Sequence, residues 1–128
     1  MKLLWILLLS SSLFASSAIQ WYDDFDEASM EAKKTHKPII VMFTTSWCGV
    51  CNMMKEKVFT DQEIIKKQSE NFISLMYDKE FDDFPKRFDV FGTPTFYFLD
   101  SNAKELDIKI GGSNLMGWNK ELDKRLSH

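Results

Sequence analysis

The two cysteines of this 128-residue chain, Cys48 and Cys51, are three positions apart and follow an apolar run of strand-forming residues. Such a pair can be a structural disulfide, part of a metal site or a working redox pair. A disulfide across two intervening residues closes a very small loop, and small loops stabilise a fold least. Zinc takes about four ligands, and the chain offers only His36 and His128 besides the cysteines and carboxylates. The small loop therefore disfavours a structural disulfide, and the shortage of histidine and cysteine ligands disfavours a zinc site.

The N-terminus has the layout of a secretory signal peptide. Lys2 precedes a short apolar run, and the small residues Ser16 and Ala18 stand at the −3 and −1 positions of a cleavage site. The apolar run is too short to cross a bilayer, which takes about 20 apolar residues. An uncleaved anchor or a buried first helix is the alternative. We predict a signal peptide over residues 1–18, a mature domain over 19–128 and a periplasmic or secreted location, where disulfides persist.

Composition indicates one globular domain with no affinity for nucleic acid. Apolar residues make up 45% of the chain and aromatic residues 14%, which is ample for a packed core. The formal net charge is −3, whereas nucleic-acid binding draws most of its affinity from basic patches. We therefore expect a small acidic domain that is monomeric and does not bind nucleic acid.

Helical and strand patterns alternate along the chain. Four helices are predicted: one over Asp23–Lys34, one directly after the cysteines, one that begins at a capping box at Thr60–Glu63, and one from Leu115 to Leu126. A short helical or irregular piece is predicted at Phe84–Phe88. Strands are predicted over Ile39–Phe43, Phe72–Asp78, Gly92–Asp100 and Glu105–Ile110. Helices in the first two strand connections favour parallel pairing, and the tight turn before the last strand favours an antiparallel hairpin. This order predicts an α/β fold with a central mixed sheet flanked by helices.

The position of Cys48, after a central strand and at the start of a helix, favours redox chemistry. The free N–H groups and the dipole of a helix start stabilise negative charge, so the thiolate of Cys48 is favoured. Residues three apart share a helical face, so Cys51 can reach Cys48. Cys48 would attack the disulfide of a partner, and Cys51 would then attack the mixed disulfide and release the product.

The segment "WCGVC", Trp47–Cys51, resembles the active site of the thioredoxin superfamily, and "GTPT", Gly92–Thr95, resembles its cis-proline loop. The "GG" after "ELDIKI" fits the turn before the last helix of that family. The N-terminal part of the domain is similar to a secreted subgroup that includes periplasmic thioredoxin-like reductases and the C-terminal domain of a membrane electron transporter. The resemblance extends over the whole mature chain and implies the thioredoxin fold.

The resemblance also implies a role for each matching residue. Cys48 would be the nucleophile and Cys51 the resolving cysteine, with the redox-active disulfide itself in place of a cofactor. The substrate-binding surface would consist of Trp47, Gly49, Val50, Thr93 and Pro94. Pro94 would be cis, with the backbone of Thr93 presented beside Cys48. Substrates would be disulfide-bearing proteins, and a membrane transporter or another thioredoxin-like protein would supply electrons for reducing work.

Three positions depart from the family pattern. Val50 replaces the proline of the usual CGPC motif, Met42 stands where the family has a buried aspartate, and Ser74 aligns with its neighbouring lysine. The usual proton-handling group for Cys51 is therefore missing. Glu56 and Asp78 are candidate substitutes, although an exposed position is the expectation for each.

The sequence leaves three other functions open. The first is a Cu(I)-binding chaperone, because Met53 and Met54 follow the cysteines and soft thiolate and thioether ligands suit Cu(I), although core packing is the expected role of Met54. A disulfide-forming oxidant and a redox-inert binding module on the same scaffold are the other two.

The aromatic series Phe81, Phe84, Phe88 and Phe91 has near-helical spacing. Core packing is the expected role of these side chains, and a groove for a partner is the alternative.

Overall fold

The structure, a computed structural model, describes residues 17–126, so nearly all of the predicted signal peptide lies outside the described part of the chain. Within it there are five strands and four α-helices. The strands are β1 (Trp21–Tyr22), β2 (Ile39–Thr44), β3 (Ile73–Asp78), β4 (Thr95–Leu99) and β5 (Glu105–Ile110). The helices are α1 (Phe25–Thr35), α2 (Gly49–Met53), α3 (Gln62–Asn71) and α4 (Leu115–Leu126), and a π-helical turn, Met54–Val58, extends α2.

The strands form one mixed sheet in the order β1-β3-β2-β4-β5, with β2 in the centre. Strands β1, β2 and β3 run parallel, and β4 and β5 run antiparallel to their neighbours. The predicted fold class and the β4–β5 hairpin are confirmed. The two-residue strand β1, which pairs Trp21 with Ser74, was not predicted, because two residues carry no periodicity.

Strand β2 is buried along its whole length, as its unbroken apolar run predicts. Its alternate side chains enter two different cores. Ile40 and Met42 pack with Cys51, Met54 and the inner faces of α3 and α4, and we call this cluster the Cys51-side core. The other side chains of β2 pack against α1, where Ala28 and Ala32 allow a close approach. Because both faces are covered, β2 fixes the position of the segment that follows it.

The prediction of parallel pairing at the second strand connection is wrong. Asp78 at the end of β3 lies beside Thr44, and Thr95 at the start of β4 lies beside Phe43. The chain therefore leaves β3 and enters β4 at the same end of the sheet, which makes β4 antiparallel. A parallel crossover needs a helix to carry the chain back along the sheet, and residues 79–94 contain only turns and bends.

Two helix predictions also need correction. Asp61, not Thr60, is the N-cap of α3: its carboxylate accepts the N–H groups of Glu63 and Ile64 at 3.0 and 3.1 Å. Thr60 instead donates its hydroxyl to the carbonyl of Glu56 at 2.6 Å. The predicted stripe of α4 is buried only at Trp118 and Leu122, since its terminal leucines, Leu115 and Leu126, lie beyond the edge of the core and are 41% exposed.

Strand β5 is half-exposed as predicted, but its apolar side chains face outward. Leu106, Ile108 and Ile110 are exposed, whereas Asp107 and Lys109 point toward the helical layer. There Asp107 accepts a hydrogen bond of 2.8 Å from Arg125 of α4, and this bond to the guanidinium holds the pKa of Asp107 below its ordinary range. Polar groups with defined partners thus occupy the helix-facing side of β5.

No helix within residues 17–126 is long and apolar enough to span a membrane.

Candidate active site

Cys48 and Cys51 lie where the central strand passes into helix α2. Cys48 is the N-cap residue of α2, and its sulfur accepts the N–H of Cys51 at 3.1 Å. The two side chains form a disulfide, with their Cα atoms 5.2 Å apart. The strand-to-helix position predicted for the pair is therefore confirmed. The same N–H that contacts Cys48 in the disulfide is placed to stabilise a thiolate there after reduction.

The two cysteines differ in exposure. Cys48 is partly exposed, whereas Cys51 is 0% exposed and belongs to the Cys51-side core. A sulfur of another molecule can approach only Cys48, and Cys51 can reach only Cys48. This asymmetry assigns different chemical capacities to two residues of the same type.

The loop before β4 lies against the cysteine motif. The Thr93–Pro94 peptide bond is cis, and Pro94 is buried. The hydroxyl oxygens of Thr93 and Thr45 are 3.1 Å apart and share a hydrogen bond. Thr45 precedes Cys48 by three residues, so this contact joins the cysteine loop to the cis-proline loop. The structure thus brings the Cys-x-x-Cys segment and the cis-proline loop together.

A turn of two glycines, Gly111 and Gly112, packs against the cysteine motif. Gly111 has a φ of +93°, a conformation that glycine adopts without strain. A Cβ on the next residue, Gly112, would lie 2.3 Å from Cγ1 of Val50 and 3.2 Å from Sδ of Met54. The ammonium of Lys109 holds this turn by donating to the carbonyls of both glycines, at 2.9 and 3.2 Å. Val50 therefore packs directly on a backbone that has no room for a side chain.

We expect Gly112→Ala to destabilise the fold by about 1–2 kcal/mol, the usual cost of inserting a methyl group into a packed contact. The chemical-denaturation midpoint measures the change. Gly49→Ala is the matched control, because a Cβ there meets nothing within 4 Å. Val50→Ala removes the colliding atom, so Gly112→Ala should cost less in that background. An equal cost in both backgrounds would show that the collision with Val50 is not the cause.

The surface around Cys48 is apolar and exposed. Trp47 is 82% exposed and Val50 47%, and Gly49 is also exposed. Phe91 and Ile110, 89% and 80% exposed, line a separate groove with Gly92, the residue just before the cis peptide bond. Exposed apolar patches of this kind mark binding surfaces for other molecules.

The aromatic series after β3 is split between core and surface. Phe88 is buried and Phe84 partly buried, as core packing predicts. Phe81 and Phe91 are exposed, so the expectation of core packing is wrong for these two. The backbone between them is not helical, and the near-helical spacing therefore does not bring the four rings onto one face.

Two of the three positions that depart from the family pattern, Met42 and Ser74, are buried and uncharged. Met42 is 0% exposed and lies in the Cys51-side core. Ser74 is 2% exposed and accepts a hydrogen bond of 2.9 Å from Gln68. Glu56 is exposed, and the carboxylate of Asp78 accepts the N–H groups that follow it in the loop after β3. Buried neutral groups thus occupy both positions.

The methionines after the cysteines pack in the protein core. Met54 is 0% exposed, as expected for a core residue, and Met53 packs partly buried against the same cluster. Within residues 17–126, no group of three or more His, Cys, Asp or Glu side chains is placed to hold a metal ion.

Sequence reasoning missed Thr45 and Lys109 as parts of the site. Thr45 hydrogen-bonds a residue 48 positions away, and Lys109 holds the turn against which Val50 packs. The strand register gives a signal for Thr45, because β2 and β4 pair antiparallel up to Phe43 and Thr95. No local pattern in the sequence distinguishes Lys109 from other lysines of an exposed strand.

A mixed five-stranded sheet whose central strand leads into a Cys-x-x-Cys helix defines the class of thioredoxin-fold thiol–disulfide oxidoreductases. Comparison with known proteins identifies the family. The chain belongs to the thioredoxin-like domain family, whose model matches residues 25–124.

Individual relatives support this membership. The chain is 31% identical over 105 residues to the Thiol:disulfide interchange protein DsbD of Campylobacter jejuni strain RM1221, covering 78% of this chain and 18% of that protein. It is 41% identical over 66 residues to Spermatogenesis-associated protein 20 of Rattus norvegicus, covering 52% of this chain and 8% of that protein. The chain thus spans less than a fifth of the length of these two relatives. Among solved structures, a thioredoxin from Thermus thermophilus aligns with a TM-score of 0.71 and 25% identity, over 85% of this chain and 88% of that one.

Proposed function

We propose that this protein is an exported thiol–disulfide oxidoreductase that reduces disulfides of other proteins through Cys48 and Cys51. One observation carries the proposal: the two sulfurs are bonded to each other, one partly exposed at a helix start and the other fully buried behind it. A buried partner that reaches only the exposed sulfur is what a two-step exchange reaction requires.

The proposed reaction begins with Cys48 as a thiolate and Cys51 as a thiol. The sulfur of Cys48 attacks one sulfur of the substrate disulfide, which forms a mixed disulfide and releases the other substrate sulfur as a thiolate. Cys51 loses its proton and attacks Cys48, which breaks the mixed disulfide and releases the second substrate sulfur. Two electrons have then passed to the substrate, whose two thiolates take up protons, and the protein is left with the Cys48–Cys51 disulfide.

A dithiol electron donor must restore the reduced state by the reverse exchange. We propose a membrane transporter or another thioredoxin-like protein as that donor, which the resemblance to the secreted subgroup implies. The redox-active disulfide is the only electron carrier that this reaction needs within the protein. The similarity to a protein named for thiol:disulfide interchange supports this assignment.

Trp47, Gly49, Val50 and Thr93 form the proposed substrate-binding surface, and the buried Pro94 contributes to it through the cis bond with Thr93. The exposed apolar side chains beside Cys48 can cover a substrate segment, and the backbone N–H and carbonyl of Thr93 have no hydrogen-bond partner within residues 17–126. An extended segment could pair with them as an added strand does.

Export is proposed from the N-terminal sequence, with cleavage after Ala18 and a periplasmic or secreted location. Ile19 is 8% exposed and packs into the Cys51-side core. Cleavage directly before it would therefore leave the packed domain whole, and the proposal requires a mature protein that begins at Ile19.

The reduction potential of the Cys48–Cys51 couple tests this function. The domain from Ile19 onward is equilibrated with redox buffers, and the fraction of disulfide is measured. We expect a value near −270 mV, the range of thioredoxin, whereas a value near −120 mV, that of a disulfide-forming oxidant, would overturn the reducing direction. The wild type should also reduce the disulfides of insulin, and Cys48→Ser should not. A protein without a reversible couple would not be an oxidoreductase.

A further inference from the structure

We propose that Thr45 is a positioning residue: its hydroxyl holds Thr93 in place beside Cys48, so that a substrate segment paired with Thr93 presents its disulfide to that sulfur. The inference rests on the proposed function and adds to it a residue outside the cysteine and cis-proline motifs.

The strand register places Thr45 and Thr93 opposite each other. The last backbone pair of the β2–β4 ladder is Phe43 with Thr95, and Thr45 and Thr93 continue the same antiparallel register two residues further on. The backbone ladder cannot continue through Pro94, because a proline has no N–H. The hydrogen bond of 3.1 Å between the two threonine hydroxyls joins the loops at the point where backbone pairing has stopped.

Thr45 contacts both halves of the site. Its carbonyl accepts the N–H of Cys48 at 3.3 Å, and its hydroxyl bonds that of Thr93. The same residue therefore relates the position of the reacting sulfur to that of the cis-proline loop. The bond is part-buried, so water competes with it less than at an exposed site.

Thr93 has its backbone groups available for a substrate. Neither its N–H nor its carbonyl is paired within residues 17–126, so its side-chain bond to Thr45 is the hydrogen bond that restrains it. A substrate segment that pairs with Thr93 is held in a fixed register relative to Cys48. Without the hydroxyl of Thr45, the loop that contains Thr93 has more conformational freedom. Binding of a substrate must then order this loop, and the lost entropy weakens binding.

A small disulfide reagent separates this role from a general effect on the cysteines. Such a reagent has no peptide backbone to pair with Thr93, so its reaction with Cys48 does not depend on the position of the loop. Loss of the Thr45 hydroxyl should therefore affect protein disulfides and spare small ones.

The experiment uses Thr45→Val, which keeps the shape of the side chain without the hydroxyl, and Thr45→Ser, which keeps the hydroxyl. We expect Thr45→Val to raise KM for insulin reduction about three- to tenfold, the effect of losing one hydrogen bond. Thr45→Ser should restore KM to within about twofold of the wild type. The rate with a small aromatic disulfide and the reduction potential should be those of the wild type in both variants.

Thr93→Val closes a double-mutant cycle. It should raise KM as much as Thr45→Val, and the double variant should be no worse than either single one, because all three lack the same bond. Thermal unfolding confirms that each variant is folded, and the two single variants give independent tests. An unchanged KM in Thr45→Val, a defect equal in Thr45→Ser, or an equal loss with the small disulfide would overturn the inference alone. A wild-type protein that reduces neither substrate would overturn the proposed function and the inference with it.

Discussion

Replacing Cys51 with serine is expected to stop turnover while leaving Cys48 able to capture a protein disulfide covalently. The reduced variant should form a mixed disulfide between Cys48 and the substrate that persists, because a serine hydroxyl is too weak a nucleophile to attack a disulfide. Turnover should fall by more than about a hundredfold, as happens when one member of a group that acts as a unit is removed.

The difference in exposure between the two cysteines is the reason for this expectation. Cys48 is partly exposed and can meet a substrate sulfur, whereas Cys51 is 0% exposed and lies within reach of Cys48 alone. A substrate held on Cys48 can then be released only by a thiol from outside this protein: an added thiol, or the substrate's own freed thiolate, which reverses the capture. The covalent complex is measured by non-reducing electrophoresis and intact mass, in buffer free of added thiol.

Cys48→Ser is the matched control for this capture. Its one remaining thiol, that of Cys51, is buried, so this variant should form no complex in the folded state. If Cys48→Ser captured substrate as well as Cys51→Ser does, the assignment of nucleophile and resolving cysteine would be wrong. If Cys51→Ser kept the turnover of the wild type, a two-cysteine exchange would be excluded.

The sequence predicted the part of the site that depends on local pattern. The apolar run Ile39–Phe43 predicted a strand that is covered on both faces, and the pair Cys48 and Cys51 predicted the start of a helix after that strand. Both features depend on side chains within a few residues of one another, and the structure has both. The helix predicted after the cysteines is also present: Cys51, Met54 and Val58 have helical spacing in the sequence, and all three are buried although a π-helical turn follows α2.

The loop between β3 and β4 could not be predicted, because distant groups satisfy its backbone. The hydroxyl of Tyr97 donates to the carbonyl of Asp89 at 2.7 Å and accepts the N–H of the same residue at 3.0 Å. Lys79 donates its ammonium to the carbonyl of Phe91 at 2.8 Å. Pro85 cannot donate within a helix. Side chains thus supply hydrogen bonds that a helix would otherwise have supplied. The near-helical spacing of the phenylalanines does not predict these side-chain hydrogen bonds.

The contact between Thr45 and Thr93 escapes a reading of the sequence for the same reason. The two residues are 48 positions apart, and nothing in "FTTSWC" distinguishes a threonine that bonds another loop from one that faces solvent. The position of Thr45 opposite Thr93 depends on the antiparallel pairing of β2 with β4 and on its register, and this pairing was not predicted from the sequence.

The second large effect is expected at the buried hydrogen-bond chain beside the Cys51-side core. The indole N–H of Trp118 donates to the side-chain carbonyl of Gln68 at 2.9 Å, and the amide of Gln68 donates to the hydroxyl of Ser74 at 2.9 Å. All three residues are buried, and they join α4, α3 and β3. Trp118→Ala should lower the free energy of unfolding by about 3–5 kcal/mol, the range for a buried aromatic residue.

Trp118→Phe removes the hydrogen bond while keeping an aromatic ring, so its cost combines the lost donor with the smaller volume of the side chain. It keeps an aromatic side chain against Phe96 and Phe59, whose ring centroids lie 4.6 and 5.7 Å from that of the indole. It leaves the carbonyl of Gln68 buried without a donor, which costs about 1–3 kcal/mol. Adding Gln68→Leu and Ser74→Ala should recover part of this loss, because replacing a whole buried polar set by apolar groups is close to neutral.

The pH dependence tests whether the hydrogen-bonded chain of Trp118, Gln68 and Ser74 is free of coupled ionisable groups. Tryptophan, glutamine and serine do not titrate between about pH 5 and 9, so the loss caused by Trp118→Phe should be the same across that range. Denaturant unfolding at several pH values measures it. A loss that grew or shrank with pH would reveal an ionisable group coupled to the chain. A triple variant less stable than Trp118→Phe alone would show that the hydrogen bonds of Gln68 and Ser74 stabilise the fold independently of the indole.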